Sequence, residues 1–473
     1  MASLAPRWVK RSLVLLASFS LIASACGSAA TTAPKAVPTT AAPTTGPTTE
    51  PSATPGPTGA AEGACTNMPS SPVTLTYWEA SGEYLSEEGV AMLDAEFQHA
   101  HPNVKLSRVA KPFADIMATE KLQASGPNPP DILLTNVYDL LGPLVAANLV
   151  LPLDDYAARF GWKARFGESV LRVQSFSPDG RQYGTGHLYG LSPAATYVGL
   201  FYNRDVMTRL GLQVPTTYEE LLATLEAARK SNVVPISAGI RDGWPAMDMF
   251  TSLQNIIAPT EQVRSFVFRT SPDARFDTPE NIEAAKLSQE VGRKGYYSPG
   301  YQGKTHQSAI DEFVAGKALY FLRSTAFAGP IKEGLGEKAA MILFPSRQGG
   351  PFAVTGAPGF SWSISTKSKY PDAAACYLDW RTGQRASELL VAEGGLPSMI
   401  AEYTGDSQFT KSILDGWAEI AQKDALVPYL AWAAANLHDT LSSATQQLVG
   451  DELSPDEFAR QIQKAYEMLK PGS

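Results

Sequence analysis

The chain has 473 residues, of which 44% are hydrophobic and 18% charged, a balance that suits a soluble globular protein too long for one small core. Its formal charge is −8, and without the first 25 residues, which carry Arg7, Lys10 and Arg11 and no acid, it would be −11. That excess of negative charge argues against a nucleic-acid partner.

Residues 1–25 have the layout of an export signal: a basic start, the apolar run Leu13–Ile22 and then small residues. The apolar part is too short to span a bilayer. Ala23-Ser24-Ala25-Cys26-Gly27 resembles a bacterial lipobox, in which the cysteine becomes the N-terminus and is lipidated, although the usual Leu three positions before the cysteine is Ala23. Cys26 is therefore the expected lipidation site. Residues 26–64 are Thr-, Ala- and Pro-rich with almost no large apolar side chain, so they cannot offset their ordering entropy and are expected to form a disordered tether. At roughly 3 Å per residue such a stretch reaches on the order of 100 Å. A lipid anchor and a long stalk imply a body held outside a membrane, on the extracellular face.

Two cysteines remain, Cys65 and Cys376. Cys376 lies in a helical pattern whose apolar side includes Ala374, Tyr377 and Leu378. A buried free thiol is the simpler reading, with a Cys65–Cys376 bridge as its alternative.

The folded part begins with Val73-Thr-Leu-Thr-Tyr77, which alternates as a strand does, followed by Trp78, Glu79 and Glu83 at its carboxyl end. Helical spacing runs through Val90, Leu93 and Phe97, and Val104–Val109 makes a second strand. Phe113, Ile116 and Leu122 fit a helix ending near Gly126, and Asp131–Thr135 is a short strand with Asn136, Tyr138 and Asp139 beyond it. Strand and helix alternate three times, which predicts a mainly parallel, wound sheet.

Tyr189–Asp205 follows. An aromatic-rich strand, Tyr197–Tyr202, comes after a bend bracketed by Gly190 and Pro193 and runs into a polar turn at Asn203. Its place between two α/β stretches marks it as a hinge. Beyond it, Thr217-Tyr-Glu-Glu220 reads as a capping box, Val233–Ser237 as a strand, and Arg241–Phe250 as the start of a helix. Thr278-Pro279 opens another helix, and Ala318–Leu322 is a strand ending in Arg323. Gly359–Ser365 reads as a strand returning to the first unit, and the last hundred residues as helices, with a capping box at Ser454–Glu457.

From about Val73 onward the chain resembles the extracellular solute-binding proteins of ABC importers, in the maltose-binding-like, carbohydrate-oriented group. The matching pieces include Val73–Trp78, Phe97 with His101-Pro102, Pro130-Asp131, Leu151–Asp154, Tyr189–Pro193, Leu200–Asp205, Pro215–Leu221, Phe313–Lys317 and Trp362–Ser365. The resemblance implies an α/β fold of two lobes, each a mainly parallel sheet flanked by helices, that close on a solute between them. Carried onto this chain, lobe 1 is residues 65–193 plus 360–397 and lobe 2 residues 194–359 plus 398–473. It further implies permease subunits as partners, a monomer, no cofactor and no catalysis.

A sugar presents hydroxyls at its rim and C–H patches on its faces, so a site for it needs fixed polar groups beside flat aromatic surfaces. Trp78, Glu79 and Glu83 at the first strand end, and Asn136 and Tyr138 at the third, are candidates. Trp244 and Asp248, one helical turn apart, are two more. Arg323, Phe360, Trp362 and Trp432 complete the set. The competing role for the tryptophans is packing, above all for Trp362; for Arg323 it is a salt bridge, and for Glu83 it is solvent exposure. Arg323 leaves an anionic ligand open beside a neutral sugar.

A wall-tethered glycoside hydrolase would need two carboxylates at a set separation, for which Glu79 and Asp248 are the nominees. A binding protein for sensing or adhesion, without a transporter, is a further alternative. His99 and His101 lack other ligands nearby in sequence and are expected at a solvated surface, so no metal is expected.

Overall fold

A computed structural model describes residues 65–80, 84–434 and 437–468. The expected export signal, Cys26, the tether and Glu83 lie outside the described residues, and Tyr138 is described in its backbone alone. Among the described residues, no helix is long and apolar enough to cross a membrane.

Among the described residues, twelve strands form two large sheets and one small ribbon. In chain order they are β1 (Val73–Ala80), β2 (Val104–Lys111), β3 (Ile132–Thr135), β4 (Ser175–Phe176), β5 (His187–Leu188) and β6 (Ala195–Asn203), then β7 (Val234–Ile236), β8 (Ala318–Ser324), β9 (Ala339–Ile342), β10 (Val354–Pro358), β11 (Ser361–Ile364) and β12 (Leu426–Val427).

The first sheet has the order β11-β3-β1-β2. Here β1 pairs in parallel with β2 and β3, as the alternating pattern predicts, and β11 closes the edge antiparallel to β3. Asp131 precedes β3 instead of belonging to it: its Oδ2 accepts bonds of 2.8 Å from both the N–H and the hydroxyl of Thr76, pinning β3 to β1. Side chains alternate across β1. Tyr77 packs at 5.0 Å against Tyr377 of helix Pro371–Arg381, so Trp78 stands on the opposite face.

The second sheet has the order β12-β10-β6-β8-β7, with β9 also paired to β6. It is mixed, not mainly parallel: β6 runs antiparallel to β8, β9 and β10, and only the β7–β8 and β10–β12 pairs are parallel. The cause is connectivity, since β6 enters this sheet from the first one and the later strands return against it.

The predicted hinge is where the two sheets are joined. Leu191 bridges to Trp362 of β11 in the first sheet, whereas Ala195, four residues on, pairs with Pro358 of β10 in the second. The return passage, Gly359–Phe360, lies beside it, with the Gly359 N–H donating to the Ala194 carbonyl at 2.7 Å. A third passage at Leu396–Ser398 completes the crossing: the Ala195 N–H donates to Leu396 O at 2.9 Å and the Ser398 N–H to Pro193 O at 3.0 Å.

Helix starts follow the sequence signals. Thr217 and Thr278 each accept a bond at the first turn, Asn203 caps the helix that leaves β6, and Ser407, which the sequence reading did not single out, caps another. At Ser454 and Glu457 the two side chains cap each other's backbone N–H groups, at 3.1 and 3.3 Å. Leu122, by contrast, is exposed on its helix.

Cys65 and Cys376 form a disulfide, with their Cα atoms 5.4 Å apart, which corrects the expectation of a free thiol. Sequence separation hid the contact. The coil before β1 folds back over the turn after the first helix, held by Asn103 Nδ2 to Pro69 O at 3.1 Å, and this carries Cys65 to the helix that bears Cys376. His101 belongs to the same corner and is half-buried, its ring 4.7 Å from that of Phe97, not on a solvated surface as expected.

Candidate functional site

Where the strands of the second sheet end beside the crossing, four predicted residues converge. Trp244 and Asp248 project from helix Trp244–Asn255, whose start is set by Gly243 at φ 80°. Arg323 comes from the end of β8, and its Nη1 donates to Asp248 Oδ2 in an ion pair that is buried on both sides. The Arg323 guanidinium lies 4.5 Å from the centre of the Phe327 ring. Trp432 is half-buried and packs 5.8 Å from Tyr429.

Tyr429 is the residue that sequence reasoning missed. It lies edge-on to Trp244 at 6.0 Å, and its hydroxyl is 3.2 Å from Thr196 Oγ1 on β6, so it connects the aromatic wall to the crossing strand. A signal was available: Val427-Pro428-Tyr429 is a strand end, a proline and an aromatic, three residues before Trp432. His438 also packs against Trp244, ring centres 4.6 Å apart.

Trp244, Asp248, Tyr429, Leu430 and Thr445 are among the residues bordering a small hollow of about 20 Å³. Its lining is mostly apolar, with Met247, Phe250, Leu430, Ala431 and Leu441 around the Asp248 carboxyl. Burial pushes the Asp248 carboxyl upward against the opposing pull of Arg323, and burial likewise raises the Tyr429 and Tyr297 phenols. The Tyr297 hydroxyl and Arg323 Nε are buried and have no hydrogen-bond partner among the described residues. Buried polar atoms of this kind carry a cost unless something bonds them, and a ligand or ordered water is the usual answer.

The candidates on the first sheet lie elsewhere. Glu79 points to the helix side of β1, where Oε2 accepts from Arg108 Nε and Oε1 from Arg381 Nη2, both at 2.6 Å. Arg381 also donates to the Tyr377 hydroxyl at 2.8 Å, and that hydroxyl and the Tyr77 hydroxyl both donate to Asp94. Both oxygens of Glu79 are thus engaged in a buried ionic network. Trp362 is in the core, 2% exposed, with the Arg381 guanidinium 4.7 Å from its ring centre. Trp78 is 6% exposed, and its ring is covered by Lys111, whose Nζ lies 3.6 Å from the ring centre.

Asn136 is half-buried at the end of β3, where its carbonyl accepts from Leu140 and Leu141 at 3.0 Å and starts a wide helical turn. Phe360 sits in the crossing itself, its ring 5.9 Å from that of Tyr84 and its N–H donating to the Tyr84 hydroxyl. The two hydrolase nominees are therefore on separate elements, Glu79 on β1 and Asp248 on helix Trp244–Asn255, each paired with arginine.

A family model described as bacterial extracellular solute-binding protein matches residues 83–387. Among curated proteins, a multiple sugar-binding protein of Streptococcus mutans is 22% identical over 220 residues, 44% of this chain and 51% of that protein. The sn-glycerol-3-phosphate-binding periplasmic protein UgpB of Escherichia coli K12 is 23% identical over 266 residues, 55% of this chain and 58% of that protein. The chain spans little more than half the length of these relatives. Among solved structures, a probable secreted solute-binding lipoprotein from Streptomyces coelicolor superposes with a TM-score of 0.71 at 15% identity, over 84% of this chain and 100% of the other. RafE from Streptococcus pneumoniae gives 0.67 at 18% identity, over 85% and 99%. At these identities the likeness speaks for the fold: α/β, with two lobes.

Proposed function

Because the chain belongs to the bacterial extracellular solute-binding proteins, we propose that it captures a neutral saccharide between its two lobes and passes it unaltered to the permease of an ABC importer. The observation that carries the choice of ligand is the buried Arg323–Asp248 pair within the Trp244, Tyr429 and Trp432 cluster. A site for a phosphate monoester would present an uncompensated cation. Here the arginine charge is answered by a carboxylate, leaving a neutral polar pair beside aromatic faces, which suits hydroxyls and C–H surfaces. A relative that is a multiple sugar-binding protein and a structural neighbour that is a chitin oligosaccharide binding protein support this reading, while UgpB relatives support glycerol phosphate, so the choice rests on the ion pair.

In this reading residues 65–193 with 360–397 form lobe 1 and residues 194–359 with 398–473 form lobe 2. Trp244, Tyr429 and Trp432 are the platforms, Asp248 and Arg323 the polar pair, and Asn136 and Phe360 the candidates on the lobe 1 side and in the crossing. Glu79 and Trp362 brace lobe 1 from behind. The protein acts as a monomer held outside the membrane by lipid on Cys26; a Cys26→Ala variant should appear in the medium, and its retention with the membrane would refute the anchor.

A thermal-shift screen tests the ligand class, since a ligand at 100 times its dissociation constant adds about 2.7 kcal/mol. Neutral saccharides should raise the melting temperature and be recovered intact. A response to sn-glycerol 3-phosphate, amino acids or peptides, with none to saccharides, would overturn the substrate; a cleaved sugar would overturn the non-catalytic role.

A further inference from the structure

We propose that the corner formed by Cys65, Cys376 and His101, at the flank of the first sheet, is a redox-gated metal site that takes a thiophilic divalent cation of the zinc class once its disulfide is reduced. The ligand atoms of the three side chains all lie within 4.8 Å of one another, and His101 Nε2 is 3.7 Å from Cys376 Sγ. A tetrahedral zinc ion with bonds of about 2.3 Å to sulfur and 2.0–2.1 Å to nitrogen holds its ligand atoms roughly 3.3–3.8 Å apart. The nitrogen and the Cys376 sulfur already have that spacing. The two sulfurs have to part, with Cys65 Sγ taking up the same spacing from the nitrogen.

The local structure permits that movement on one side alone. Cys376 is on helix Pro371–Arg381 and 1% exposed, while His101 is fixed by its N–H to Phe97 O bond of 2.9 Å and by its ring against Phe97. Cys65 instead belongs to the coil ahead of β1, outside any helix or strand, where rotation of its side chain opens the pair without disturbing the sheet. Two thiolates and an imidazole favour zinc over magnesium or calcium, which take oxygen ligands. Three protein ligands leave the fourth position to water.

The chemistry balances with a dithiol as reductant. Its two thiols exchange with the Cys65–Cys376 bond, yielding two cysteine thiols and the reductant's own disulfide. The cation then displaces both thiol protons, and two protons leave to solvent as two metal–sulfur bonds and one metal–nitrogen bond form. The start of the folded body, where it meets residues 26–64, is thus clamped to the same helix in either state, by a covalent bond or by a metal.

The test uses the full chain carrying Cys26→Ser, so that two thiols remain, and Cd²⁺ as an optical probe for zinc. After reduction with excess dithiol and anaerobic desalting, Cd²⁺ should give a thiolate charge-transfer band saturating at one ion per chain, and the oxidised protein should give none. His101→Ala, which keeps both cysteines and the disulfide, should weaken binding about tenfold or more. Absence of the band in reduced protein, or equal affinity in His101→Ala, would overturn the proposal. Sugar binding by the oxidised protein is a separate readout, so failure here leaves the solute-binding reading untouched and the reverse also holds.

Discussion

At the residue scale, Glu120 is the most exposed to a direct test, because it is fully buried on helix Phe113–Ser125 with neither carboxylate oxygen hydrogen-bonded among the described residues. Burial pushes its pKa well above the ordinary glutamate value, against a smaller opposing pull from Lys111. The folded chain therefore keeps a proton that the unfolded chain releases near pH 4.3. With more protons bound in the native state, stability falls as pH rises from about 4.3 up to the native pKa. Glu120→Gln removes that titration. Urea midpoints measured across pH should show a shallower decline and a gain of about 0.5–2 kcal/mol at neutral pH; a slope identical to the parent's would mean that Glu120 does not ionise differently in the two states. The same physics separates the two sequence-predicted acids of the site. Glu79 and Asp248 looked equivalent as acidic neighbours of tryptophan, yet each is held by arginines that arrive from segments distant in the chain, Arg381 in one case and Arg323 in the other.

At the element scale, what was legible in the sequence was what is local: strand alternation in β1, the caps at Thr217, Thr278 and Ser454, and the bend before β6. The parallel first sheet follows from that alternation, since each strand is followed by its own helix. The antiparallel pairings of β6 were not legible, because they depend on a strand that changes sheets. Nor was the disulfide, whose partners are 311 positions apart, or the placement of Trp78, whose cover comes from Lys111 on the neighbouring strand. Gly356 shows how tightly β10 and β6 approach at the crossing. A Cβ there would lie 2.5 Å from the Thr196 carbonyl oxygen and 2.9 Å from the Tyr197 Cα, both backbone atoms that cannot step aside. Gly356→Ala must therefore push β10 away from β6 beside the Gly359–Ala194 bond. The expected loss is about 1–3 kcal/mol in chemical denaturation, and an unchanged midpoint would show that the two strands have slack.

For the whole molecule, three neighbouring passages tie the sheets, and further contacts between the units run along one flank. From the segment before β6, Tyr183 packs edge-on against Phe268 at 4.8 Å, and Arg172 reaches Asp424, 3.4 Å away, which Arg264 also holds at 3.0 Å. The backbone bonds at Ala194, Ala195 and Ser398 fix the crossing strands along their length, so relative motion of the two sheets is expected as bending about the crossing. In the proposed site, ligand on Trp244, Tyr429 and Asp248 would gain contacts from the other side only as the sheets approach, and binding would then shift the population toward the closed form by the difference in affinity between the two forms. Small-angle scattering with and without a saccharide identified by thermal shift should then show a smaller radius of gyration in the bound state. Tyr183→Ala, which removes a contact between the units without touching Trp244, Asp248 or Tyr429, should change the radius of the unliganded protein and leave the bound one as it was. A radius indifferent to ligand in both proteins would refute the mechanical reading even if the sugar binds, because capture would then need no movement at all.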